Sequence, residues 1–348
     1  MGDGSDGYAS PSALAGYALV LIDECYHLSA ALFRHFNETY KACDRVPAAV
    51  LAGDKHQMGA PGGTPAFLLP MWQRATFSTR LRIDPRYAQR CKDPTFRALL
   101  NSLRLRQPAP RGGAGWTVTK ICRGRKAWRG EKPTVAAIAT LFAKYPDTTV
   151  LCISRRGAHE INELAVEAKF GGSLSLITLP GDVESNPANY DRQGKIFTTK
   201  EQLKPLRVPI YKGMFIYLTK NVRKDVDFVN GMLARIEDYD DVSRGLLVVT
   251  TTGHRFRMWN WTDKDLHRMM YYPIRPGYAS TIIKFQGAEL KHVTAYLDVP
   301  GVPGAAYTAL SRVATAKDYL IGGNVTPAHF TPRIAAYARH FTHRRIEY

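Results

Sequence analysis

No stretch of this 348-residue chain is apolar for long enough to cross a bilayer. Its longest unbroken apolar runs are strand-sized, so a helical membrane anchor within the sequence is excluded and no membrane partner is expected. Cysteine is sparse: Cys25, Cys43, Cys91, Cys122 and Cys152 are odd in number, widely scattered and free of any C-x-x-C spacing. That excludes a disulfide scaffold and a visible zinc site, and fits reduced thiols in the cytosol, the nucleus or an organelle matrix. The opening "MGDGSDGYASPS" is acidic and rich in small residues, which is wrong for a secretory signal, and Asp6 stands where a myristoylation pattern needs Ser or Thr. Also missing is any G-x-x-x-x-G-K-[ST]. The stretch "RGGAGWTVTK" has the glycines but neither the spacing nor the Ser or Thr after the Lys. Acidic residues are in short supply too, 30 against 48 Lys plus Arg, which leaves a net charge of +18.

That surplus points to a polyanionic partner, nucleic acid being the commonest, although a basic surface also serves solubility. Hydrophobic content of 45% and charged content of 22% describe a globular chain, long enough for two domains with separate cores. Four apolar runs end abruptly in polar or glycine residues: "ALVLIDE" (18–24), "AAVLAGD" (48–54), "TVLCISRR" (149–156) and "VTAYLDV" (293–299). Each reads as a buried parallel strand. Helical patterns lie between them, such as "DPTFRALLNSLRL" (93–105) and "HEINELAVEAKF" (159–170), so the expected class is α/β. The rhythm breaks twice. Residues 107–133, with "KICRGRKAWRGEK" at their centre, read as a basic connection between domains. Between 171 and 272, "KGMFIYLTKN", "MLARIEDY" and "GLLVVTTTGHRFRMWNW" read as short antiparallel strands forming a small inserted barrel.

Chemistry concentrates at strand ends. Asp23-Glu24 closes the first strand, where α/β proteins hold ligands. In nucleotide hydrolases such an Asp holds Mg²⁺ and a neighbouring Glu positions the attacking water, while an acidic pair there also arises as a helix cap. "LAGDKHQ" (51–57) ends a second strand in Gly-Asp with Gln57 beyond it, a neutral amide able to sense a γ-phosphate without competing for the metal. "YASTIIKFQGAEL" (278–290) offers Thr, Lys and Gln, then Gly287 and Glu289. "YTALSRV" (307–313) sets Arg312 in a helical context, and an Arg fork is rigid, permanently charged and bidentate toward phosphate. Singly, either motif is also compatible with a core Arg paired to an acid.

In chain order, "LVLIDECYHLSAALF", "LAGDKHQ", "QRCKDPTFRALLNSLR", "LCISRRGAHEINELA", "KGMFIYLTKNVRKDVDFVNG", "ASTIIKFQGAEL" and "YTALSRV" resemble the later motifs of the Pif-type (petite integration frequency) and RecD-like superfamily-one DNA helicases. The likeness spans about residues 17 to 322, and "FVNG" and "ALSR" are its most specific parts. It implies movement 5′ to 3′ on single-stranded DNA, two RecA-like domains with ATP and Mg²⁺ in the cleft between them, and a small β-barrel inserted in the second. The boundaries it suggests are an incomplete first domain over 1–106, a linker over 107–133, a second domain over 134–204 and 273–348, and a barrel over 205–272. Carried over by residue, Asp23 takes Mg²⁺, Glu24 activates the hydrolytic water, Gln57 senses the γ-phosphate, and Arg90 and Arg312 reach that phosphate. Gly287 and Glu289 lie against the nucleotide, and Thr281 and Lys284 face DNA. A nuclear or mitochondrial location is expected ahead of a cytosolic one.

The departures are specific. Where the family has T-I-H-K-S-Q-G, this chain has Ile283 and Phe285 in place of the polar His and Ser. Met58-Gly59-Ala60 replaces the Leu-Pro-Pro that follows the GDxxQ box, and "RCKD" stands where Arg-Gln-x-Asp is common. With no phosphate loop in the sequence, the strand, loop and helix that cradle phosphates are expected upstream of Met1, from a separate chain, or lost from a degenerate copy. The last case leaves a single-stranded-DNA-binding protein without turnover.

Overall fold

The computed structural model describes residues 14, 16–59, 64–74, 91, 93–105, 118–192 and 194–333. All four apolar runs form parallel strands. β1 (Leu19–Ile22) and β2 (Ala48–Leu51) pair in parallel, Ile22 beside Leu51, with helix α1 (Ala30–Lys41) between them. Ser29 caps α1 by accepting the Leu32 N–H. The core on this sheet is small and aromatic: Phe33, Phe36, Phe67 and Trp72 close around Cys25 and Ala30, with the short helix α2 (Pro70–Arg74) beside them.

The next elements build a larger layer: α3 (Pro94–Leu105), α4 (Val118–Cys122), α5 (Val135–Lys144), β3 (Thr148–Cys152) and α6 (Arg155–Phe170). Thr134 and Ser154 cap α5 and α6 through their hydroxyl oxygens. Between α6 and the closing strands lies the insert, β4 (Ile177–Gly181), β5 (Leu206–Ile210), β6 (Phe215–Leu218), β7 (Leu233–Asp240), β8 (Gly245–Thr250), β9 (Arg255–Met258), β10 (Trp261–Asp263), β11 (Met269–Tyr271) and β12 (Ile274–Pro276). The chain ends, as far as described, with β13 (Ala279–Thr281), β14 (His292–Leu297), helix α7 (Ala305–Leu310) and β15 (Tyr319–Gly323).

The second sheet is parallel throughout, in the order β13-β3-β14-β15. Its alternating side chains feed two cores. Val150, Cys152 and Tyr296 face α5 and α6, meeting Ile138, Leu141, Ile161 and Ala165. Leu151, Val293, Ala295 and Leu297 face the other way, against Ala309 and Leu310 of α7 and Phe96, Leu99 and Leu103 of α3. Helix α3 therefore shares its core with the second sheet, not with β1 and β2.

The basic stretch 118–133 is folded onto this sheet as well. Ala127 N–H donates to the Ile321 carbonyl at 2.9 Å and Ile321 N–H to the Arg125 carbonyl at 2.7 Å, which adds an edge to β15. Trp128 is buried, edge-on to Tyr296 at 5.3 Å, so its ring is a core group and not a platform for bases.

The insert is antiparallel, as its pattern implies, but it is an open sheet of order β12-β6-β7-β8-β9. No closed barrel is seen among the described residues, because β12 and β9 remain its two edges. Asn230-Gly231 does sit in a turn, Met232 N–H reaching the Val229 carbonyl at 3.1 Å, with Gly231 at φ 88°.

Candidate functional site

The first two strands deliver their polar ends side by side. Cys25 N–H donates to the Ala52 carbonyl at 2.8 Å, tying the residue after Glu24 to the end of β2. Asp23 is exposed, and one of its carboxylate oxygens accepts the Glu24 N–H at 2.7 Å. Glu24 occupies the left-handed region, φ 50° and ψ 39°, costly for a residue with a Cβ and therefore held by its surroundings. Its Oε2 is buried and has no hydrogen-bond partner among the described residues. Burial raises the Glu24 pKa and Asp23 adds to the rise, while the Arg312 guanidinium and Asp54 pull in opposite directions by smaller amounts. Glu24 and Arg312, distant in sequence, thus feel one another electrostatically.

Beyond β2 the chain enters a loop that bonds across to the second sheet's helices. Asp54 gathers four hydrogen bonds: the backbone N–H and Nδ1 of His56 at 3.0 and 2.8 Å, Arg104 Nε at 3.1 Å, and the Tyr307 hydroxyl at 2.8 Å. Burial would raise its pKa, but His56 and Arg104 together hold it well below the ordinary carboxylate range. The Gln57 side-chain oxygen accepts from Gln286 Nε2 at 2.8 Å, and the same amide donates to the Met58 carbonyl at 3.2 Å. Met58 N–H donates to Thr308 Oγ1 at 2.7 Å. Further along, Arg333 donates to the Tyr26 carbonyl at 3.1 Å and lies over the Phe67 ring, so closely against Gly59 that a Cβ there would come within 1.7 Å of its guanidinium carbon.

Arg312 stands in the same seam and is almost fully buried, at 3% exposure. Its Nε donates to the Thr308 carbonyl at 3.0 Å, Nη1 to the Phe285 carbonyl at 3.3 Å and Nη2 to Ser311 Oγ at 2.7 Å. In this arrangement the guanidinium joins α7, the helix that precedes it, to the segment carrying Gln286.

Thr281 ends β13 at the carboxyl edge of the second sheet, and Lys284 follows in a short helical turn, Ile282–Phe285. Lys284 is exposed as a residue, while desolvation at its ammonium, then the Arg275 charge, lower its pKa to about 8 against the pull of Asp182 and Glu184. Gly287 has φ 80° with open space around it, and Glu289 is exposed. Arg90 lies outside the described residues.

The structure therefore brings Glu24, Gln57 and Arg312 to one seam and sets Lys284 and Gly287 on the segment flanking Gln286. Asp23 is exposed at the strand end. Asp54, Arg104, Gln286, Tyr307 and Thr308 belong to the same seam without having been singled out in sequence. All five stand inside the quoted stretches, and only pairing across the seam reveals their parts.

Among the described residues no cluster of three His, Cys, Asp or Glu side chains is arranged for a metal. The available carboxylates are an exposed Asp23 with one oxygen engaged, a Glu24 whose pKa is raised by burial, and an Asp54 holding four donors. Mg²⁺ is ordinarily held by one or two carboxylates together with substrate phosphates. With no phosphate loop in the sequence, the described groups do not by themselves fit a Mg²⁺–nucleotide complex.

Compared with solved structures, the chain is similar to the Pif1 helicase from Candida albicans (19% identity, TM-score 0.61, covering 96% of this chain and 78% of that one). It is similar to Bacteroides Pif1 bound to ssDNA (17%, 0.60, 93% and 75%) and to Pif1 helicase from Bacteroides in complex with ADP-AlF3 and ssDNA (16%, 0.62, 96% and 78%). No protein-family model matches the chain, and no curated protein does either. At these identities the likeness establishes the fold alone, which is that of these Pif1 helicases.

Proposed function

We propose that the chain is the Walker-B side and second RecA-like half of a 5′–3′ DNA helicase motor, and that it binds single-stranded DNA by itself. The observation that carries this reading is the seam, where the loop bearing Gln57, the segment bearing Gln286 and Lys284, and the helix preceding Arg312 are hydrogen-bonded together. Such an arrangement links a phosphate-sensing side to a DNA-facing side. The net charge of +18 suits a polyanion, and the Bacteroides neighbours were solved with single-stranded DNA. In this reading Asp23 and Glu24 serve Mg²⁺ and water, Gln57, Arg90 and Arg312 the γ-phosphate, and Gly287 and Glu289 the nucleotide. Those roles await a phosphate loop from an additional segment or a separate chain. The outward sides of β1 and β2, with Leu19, Leu21 and Val50 exposed, offer it a place to pack.

Titration of labelled oligonucleotide at several salt concentrations tests the binding. A slope of log K on log[salt] of about −0.7 per neutralised phosphate is expected for a single strand, and absence of binding at low salt overturns the reading. Phosphate release by the purified chain, with and without DNA, is expected at background. Turnover that disappears in Glu24→Gln would show that phosphates are held after all.

A second reading, a catalytically dead single-stranded-DNA-binding protein derived from a helicase, is favoured by the three internal bonds of the Arg312 guanidinium. The coding sequence upstream of Met1 separates the two: an in-frame phosphate loop supports the motor, and its absence the binding protein.

A further inference from the structure

The Asp54 carboxylate is shared by groups from three elements. One oxygen takes both His56 donors of its own loop, and the other takes Arg104 of α3 and the Tyr307 hydroxyl of α7. All three partners belong to places with different sequence addresses, and Tyr307 and His56 are themselves buried. The loop's next residues repeat the attachment: Gln57 to Gln286, Met58 to Thr308. Since α3 and α7 pack in a single core through Phe96, Leu99, Leu103, Ala309 and Leu310, the two donors on the second oxygen are fixed with respect to one another.

We propose that Asp54 is a positioning residue, the latch by which the Gln57 loop is carried with α7 and hence with Arg312. Charge-assisted hydrogen bonds to a buried carboxylate are among the stronger polar contacts, and removing one donor leaves part of the carboxylate unsatisfied. Gln57 and Arg312 then move as one body. Separating them requires opening Asp54 from Tyr307 and Arg104, Met58 from Thr308, and Gln57 from Gln286. The significance of that pairing rests on the function proposed above, but the latch itself does not.

Tyr307→Phe tests it, because it removes one hydroxyl and keeps the ring in its buried place. The readout is amide hydrogen exchange at Met58, whose N–H is bonded to Thr308 on α7 and so reports separation of loop from helix. Exchange at Met58 is expected to rise about tenfold, the scale of one lost charge-assisted bond, with exchange at Val150 in β3 unchanged. Thr308→Val, which deletes the acceptor directly, sets the upper limit of the signal. The second readout is the His56 Nδ1–H resonance. Tyr307 and His56 bond to different oxygens of one carboxylate, so the resonance shifts in Tyr307→Phe only if they share it as described. Unchanged exchange at Met58 with an unshifted His56 signal overturns the proposal. So does an equal rise at Met58 and Val150, which is general loosening. If the exchange result holds while the wild-type chain fails to bind oligonucleotide, the latch stands and the DNA-binding reading falls.

Discussion

The two parallel sheets begin from nearly the same sequence pattern and end in opposite surroundings. In β3 and β14 the apolar residues are wholly enclosed: Val150, Leu151 and Leu297 are each at 0% exposure. In β1 and β2, Leu21 is 69% exposed and Val50 51%. Parallel strands are ordinarily covered on both faces, which is why their apolar residues run on without alternation. The second sheet has two layers to satisfy that pattern, α5 and α6 on one side and α3 and α7 on the other. Among the described residues the first sheet has the Phe33–Trp72 cluster on one side and no second layer. An uninterrupted apolar strand therefore records the environment a segment is suited to, and does not show that the environment is present.

The largest expected effect comes from breaking the enclosed member of this pair. Leu151→Ala should cost about 2–5 kcal/mol in denaturant unfolding, the range for a buried leucine emptied to a cavity. Next is Lys284→Ala. It should lower affinity for oligonucleotide and reduce the salt slope by about 0.7, one phosphate contact. Because the Lys284 pKa is pulled down to about 8, its charge is present below that pH and lost above it. Wild-type affinity should therefore fall as pH rises from 7 to 9, and the fall should be shallower in Lys284→Ala.

A smaller effect distinguishes the first region in acid. Burial, aided by the Arg333 charge, lowers the His27 pKa to about 4. The unfolded chain takes up a proton near pH 6.5 that the folded chain refuses until about 4. The stability contribution is whole above 6.5 and lost as pH falls toward 4. Protection factors in α1, with the intrinsic pH dependence of exchange divided out, should fall over that window, and His27→Gln should flatten the response. Smallest of all is Leu21→Ala, expected within about 0.5 kcal/mol of wild type as for an ordinary surface site. A large loss there would mean that something covers the first sheet in solution.

Strand identity was legible because the runs around "ALVLI", "AAVL", "TVLC" and "VTAYL" end in polar or glycine residues within two positions, and local pattern suffices for that. What lay beyond it depended on partners distant in the chain. The insert's antiparallel strands follow from alternation, but closure into a barrel needs pairing between β12 and β9, which no local pattern specifies. Trp128 in a basic, glycine-rich stretch reads as solvated until Tyr296 is found against it. At the site, Gln57 and Arg312 stood out by residue type and setting. Asp54 attracted no role in sequence because its meaning lies in Arg104 and Tyr307, which come from other elements.

The backbone at Glu24 has a practical consequence. A glycine would occupy φ 50° without strain, and an asparagine nearly so. If heat tolerance alone were selected from a library randomised at this codon, glycine and asparagine should replace glutamate within a few rounds. If growth that depends on the intact protein were selected instead, glutamate should be retained at the expense of melting temperature. The ratio of the two outcomes would measure, without substrate or cofactor in hand, how much the organism values a carboxylate at that strand end.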